Sequence, residues 1–177
     1  MFKYDGNNEK IIEAVKAAND GDLAIHVVDA IKESLQFDMT IADNDYIADA
    51  IRSFLPNNDI YINVYYPKWR YSKAIGYFAP SNPTTINING YKLNRSIASF
   101  VGNFWHELVH MISNQDREFD FDHGSNNPSG KENTAPYAIG RIASEYIDYS
   151  ADEMSSGQIE YYIPWYKKLI NKFMRLF

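Results

Sequence analysis

With 177 residues, the chain is long enough to bury a core without covalent staples and fits a single domain spanning 1–177. It has no cysteine, which excludes disulfides, thiolate metal ligands and cysteine nucleophiles. The 23 acidic residues outnumber 17 basic ones, and the resulting charge of −6 sets the electrostatics against nucleic acid as a main partner.

In chain order, Met1 to Asn7 holds no apolar signal core, and no later apolar run approaches a membrane span. The chain as given therefore reads as cytoplasmic, or as secreted if a leader has been removed. Ile11, Ile12, Val15 and Ala18 follow helical spacing over Glu9 to Ala18, and Asn19-Asp20-Gly21 is a stop signal. From Leu23 to Leu35 the apolar positions first alternate and then turn helical, which fits a helix or a short strand running into one. Asp45 to Leu55 reads as a helix ended by Pro56-Asn57-Asn58-Asp59.

The period then shortens. Ile60 to Tyr66 and Ala74 to Phe78 are β-branched and aromatic runs, as expected of strands. A third strand is expected over Thr84 to Asn89, with Thr84, Ile86 and Ile88 on one face and Thr85, Asn87 and Asn89 on a polar one. A helix should begin near Asn94 or Ser96 and run to Ser113, its stripe made by Ile97, Phe100, Val101, Phe104, Leu108, Met111 and Ile112. Asp116 to Pro136 is polar and rich in glycine and asparagine, so it reads as a long loop of the kind that is usually functional or mobile. A further helix is expected over Ala138 to Tyr149. From Pro164 to Phe177 a basic amphipathic segment carries Trp165, Leu169, Ile170, Phe173 and Leu176 near one face. Such a helix can lie on a membrane, but more often docks on its own domain.

The most specific signal is His106-Glu107-Leu108-Val109-His110, inside the fourth expected helix. Residues four apart project from one helix face, so both imidazoles can reach one ion at about 2.0–2.1 Å. Glu107 lies about 100° around from His106, where its carboxylate stands beside the ion as a base instead of binding it. The flanking Trp105, Leu108, Val109, Met111 and Ile112 make the helix largely buried, and unpaired imidazoles there would need an explanation.

A catalytic zinc site takes three protein ligands and leaves one position for water. His123 is the leading third ligand, since it is the only other histidine downstream and lies in the loop leaving the helix. Its rivals are Glu145, with Asp148 one turn on, and Asp116 just past the helix end. His26 reads as an ordinary helix or strand histidine.

With these residues in place, the chain resembles the zincin metallopeptidases over about residues 60 to 150. The resemblance implies an α+β fold with a small mixed sheet packed on helices, a bound Zn2+ and a peptide or protein substrate. A histidine after the helix is similar to the metzincin branch. That branch has a glycine and then its third histidine where this chain has Ser113 and Asp116, and Met154 is the only later candidate for a Met-turn before the carboxy-terminal segment. In the implied reaction zinc acidifies a water and polarises the scissile carbonyl, while Glu107 takes the water proton and passes it to the leaving amine. Tyr137 is the candidate to hydrogen-bond the developing oxyanion, and an extended peptide is expected to pair with an edge strand at Thr84 to Asn89. The alternative is a catalytically inactive zincin-like module that binds a protein partner; a fourth protein ligand such as Glu145 would favour it.

Overall fold

The computed structural model describes residues 1–33, 37–68, 74–116, 118–124 and 130–156. Short polar side chains start the helices. Asn8 accepts the backbone N–H of Ile11 at the head of α1 (Glu9–Ala18), and Asp43 accepts that of Tyr46 at the head of α3 (Asn44–Asn57). Between them, α2 (Gly21–Glu33) is helical from its start, so the alternation at Leu23, Ile25 and Val27 does not mark a strand. Leu23 and Val27 are buried whereas Ile25 is 62% exposed, which is a helical face.

The sheet has four strands in the order β1-β2-β4-β3: β1 (Phe2–Lys3), β2 (Ile60–Tyr65), β3 (Gly76–Ala79) and β4 (Asn82–Asn89). β1, β2 and β4 are parallel, while β3 runs antiparallel to β4 on the outside. This overturns the expectation that Thr84 to Asn89 forms the edge. β4 lies between β2 and β3, with hydrogen-bonded neighbours on both sides, and among the described residues the edge strands are β3 and, on the opposite side, β1.

The polar face of β4 is covered as well. Thr85, Asn87 and Asn89 are buried, and the amides are paired: Asn63 Nδ2 donates to Asn87 Oδ1 at 2.9 Å, and Asn89 Nδ2 donates to the Ala74 carbonyl at 3.0 Å. Tyr65 on β2 and Tyr77 on β3 meet edge to face, ring centroids 5.0 Å apart, by reaching over β4 from either side.

On the other face Ile60, Ile62, Ile86 and Ile88 are buried in the core, where β3 and β4 meet α4 (Ile97–Gln115), whose first turn is capped by Ser96 Oγ accepting the Ser99 N–H. α4 is buried nearly all round: Phe100, Phe104, Trp105, Leu108, Val109 and Met111 are fully enclosed. After a 3-10 turn at Gly90–Lys92 and this long helix, α5 (Ala135–Ser156) starts earlier than its apolar pattern suggests. Pro136 fits its first turn, where no N–H is required.

α4 and α5 cross in backbone contact. A Cβ on Gly102 would lie 2.7 Å from the Gly140 carbonyl oxygen, and one on Gly140 would lie 2.6 Å from the Gly102 oxygen and 3.1 Å from His106 Cβ. Only glycine at both positions permits this approach, which brings the first turns of α5 against the middle of α4. The molecule is α+β, with five helices and a four-stranded mixed sheet among the described residues. No helix among them is long and apolar enough to cross a membrane. The segment Pro164 to Phe177 and the side chain of Met154 lie outside the described residues.

Candidate metal centre

Two elements carry the centre. α4 projects His106 and His110 from adjacent turns of one face, and the loop after it returns His123 to the same place. His106 Nε2 lies 3.1 Å from His110 Nε2 and 3.4 Å from His123 Nε2, and the ligand atoms of all three lie within 4.8 Å of one another. A tetrahedral ion bonded to nitrogens at about 2.0–2.1 Å holds each pair about 3.3 Å apart, so this spacing fits one shared ion. The donor set, three imidazoles without sulfur, suits zinc among several divalent metals.

The far sides of two rings are fixed. His110 Nδ1 donates to Asp122 Oδ1 at 2.9 Å, and the His106 ring donates to the Pro136 carbonyl. Each bond places a proton on the outer nitrogen and leaves the inner lone pair for a metal. Burial, with the neighbouring His110 and His123 charges, pushes His106 down to about 3, so its ring is neutral at ordinary pH, as a ligand must be. Burial alone would raise the Asp122 carboxyl. The hydrogen bond and charge of His110, with the backbone N–H groups of His123 and Gly124, outweigh it and hold Asp122 at about 2.

Asp122 therefore has two tasks. It orients His110, and as an Asx turn it shapes the loop that delivers His123, which is 4% exposed. The turn ends at Gly124 with φ +69°, a backbone conformation suited to glycine. Nothing in the sequence pattern singles out Asp122. The alternating run Asp116, Glu118, Asp120, Asp122 reads as a solvated loop, and only the position next to His123 hinted at more.

Glu107 stands beside the cluster and is 5% exposed. Its Oε2 accepts the backbone N–H of Phe78 on β3 at 2.8 Å, and its Oε1 faces Asn103 Nδ2 at 3.4 Å. Burial raises its pKa against the opposing influence of His110 and these donors. Tyr137, in the first turn of α5, lays its ring against His106 and His123 at centroid distances of 4.5 and 4.9 Å.

The rival ligands lie elsewhere. Glu145 and Asp148 are exposed on α5. Asp116 caps the end of α4 and accepts the Tyr46 hydroxyl and the backbone N–H groups of Glu118 and Phe119. His26 stacks on Tyr146 at 4.9 Å, between α2 and α5. Among the described residues the cluster of possible ligands consists of His106, His110 and His123. Next to it, a cavity of about 390 Å³ is lined by Ser113, Asn114, Phe119 and four carboxylates, of which Asp122 is one. No protein-family model matches the chain, and comparisons with curated proteins and with solved structures found no match.

Proposed function

We propose that this protein is a zinc-dependent peptidase of the zincin type, with His106, His110 and His123 as ligands and Glu107 as general base. The observation that carries the reading is the convergence of three Nε2 atoms at metal-sharing distances with a buried carboxylate beside them and Asp122 behind. When bound, zinc supplies Lewis acidity and a water acidic enough to be deprotonated near neutral pH.

The chain's own residues do the rest. Glu107, its affinity for a proton raised by burial, takes a proton from the attacking water and returns it to the leaving amine. Asp122 and the Pro136 carbonyl hold two ligand rings in the tautomer that binds metal. Tyr137, whose ring lies against His106 and His123, is the proposed hydrogen-bond donor to the developing oxyanion.

The substrate's main chain has a natural dock. Asn89 N donates to Ile75 O at 2.8 Å, making those two a hydrogen-bonded pair. By the alternation of an antiparallel ladder, Gly76 and Phe78 then point their backbone groups away from β4; the Phe78 N–H is taken by Glu107 Oε2, which leaves the Gly76 groups and the Phe78 carbonyl to pair with an added strand. An extended peptide added there runs past Glu107 and the metal cluster.

The test is cleavage of a mixed peptide library by zinc-loaded protein, with Glu107→Gln as control. Cleavage by wild type that drops about 100-fold or more in the variant, at equal zinc content, supports the reading. Zinc binding with no cleavage in either protein would move it to a zincin-like module that binds a partner.

A further inference from the structure

The Glu107 carboxylate is held from two directions, and the second holder is a side chain with no other evident use. Asn103 lies one turn before Glu107 on α4, so its amide and the carboxylate stand on one helix face. Its Nδ2 points at Glu107 Oε1, at 3.4 Å, longer than a usual hydrogen bond. Reversing the amide would turn its oxygen against the carboxylate, so the donor faces Glu107.

The rest of the amide is poorly served. Among the described residues, the buried Asn103 Oδ1 has no hydrogen-bond partner. An apolar side chain of the same shape would avoid burying an unmet acceptor, so stability alone does not account for asparagine here. The strand above also makes room for it. A Cβ on Gly76 would lie 2.4 Å from Asn103 Oδ1 and 2.9 Å from the Asn87 carbonyl oxygen, so the amide occupies the space a side chain on β3 would take.

We propose that Asn103 is a positioning residue, whose amide N–H acts with the Phe78 N–H to fix the Glu107 carboxylate between the edge strand and the histidine cluster. Its effect on turnover rests on the peptidase reading; its effect on Glu107 does not. A carboxylate held on one oxygen only would sample other rotamers, so fewer encounters would find the base aligned. Turnover falls while substrate binding is unchanged.

The first readout needs no substrate. In the zinc-loaded full chain, hydrogen exchange of the Phe78 amide reports whether Glu107 still accepts its proton, and Glu107→Ala sets the value for a lost acceptor. Asn103→Leu is expected to speed that exchange at least fivefold towards the Glu107→Ala value, with zinc content unchanged and the melting temperature equal or higher. Exchange at the wild-type rate would overturn the proposal. Asn103→Ala removes the donor without adding bulk, and serves if the leucine variant does not fold. It too must speed exchange, and a wild-type rate again overturns the proposal. On a peptide that wild type cleaves, Asn103→Leu is expected to lower kcat at least tenfold with KM unchanged, and an undiminished kcat would overturn it. If wild type cleaves no peptide, the peptidase reading fails, and the exchange data still decide the role of Asn103.

Discussion

Replacing Asp122 should weaken metal binding without removing a ligand. Its Oδ1 accepts His110 Nδ1 at 2.9 Å and also the backbone N–H groups of His123 and Gly124, so one oxygen serves two of the proposed ligands. Loss of such an outer partner costs about 10–100-fold in metal affinity, or about 1.4–2.8 kcal/mol at 1.4 kcal/mol per tenfold. Two variants separate the tasks. Asp122→Asn keeps an oxygen for the turn and loses the charge facing His110, so it should sit near the lower figure. Asp122→Ala loses the turn as well and should reach or pass the upper one. The assay is competition for zinc against a chelator of known affinity, with circular dichroism to show that both variants fold. Equal affinity for wild type and Asp122→Ala would refute the argument that this carboxylate organises the site.

Further expectations concern the frame and its pH dependence. Gly102→Ala must push α4 and α5 apart, because the added Cβ meets a carbonyl oxygen at 2.7 Å; a loss of about 1–3 kcal/mol is expected in urea unfolding. Gly124→Ala meets no neighbour among the described residues but forces a side chain to φ +69°, so a loss of about 1 kcal/mol with weaker zinc binding is expected from the same measurements. For the metal-free protein, His106 is pushed down to about 3 from 6.5, so the unfolded chain binds this proton more readily. Stability should therefore fall as pH drops from 6.5 towards 3, and urea midpoints measured against pH should show a shallower fall in His106→Ala.

How much of this was legible in the sequence depended on range. His106, Glu107 and His110 are local to one helix, so their spacing alone put them on adjacent turns. His123 could be named by type and order, but its approach depends on a turn built by Asp122 and Gly124, whose residues read as ordinary polar loop. Glycine spacing did not disclose that Gly102 and Gly140 meet, because the crossing joins helices distant in sequence. The edge strand was misplaced for a related reason. Alternation in Thr84 to Asn89 tells which residues share a face, not which strand lies outside. Parallel pairing of β2 with β4 is non-local, and it left β3 on the edge. The amides of Asn87 and Asn89 looked like a solvent face, yet hydrogen bonds from neighbouring segments and two tyrosines let them be buried. β1, at two residues, is too short for any periodicity to mark.

The most direct test is zinc stoichiometry after gentle purification and dialysis, on wild type and on His106→Ala, His110→Ala and His123→Ala side by side. The account requires close to one zinc per wild-type chain and a sharp fall in all three variants. Full zinc retention by His123→Ala, or no zinc in the wild type even after reconstitution, would contradict it.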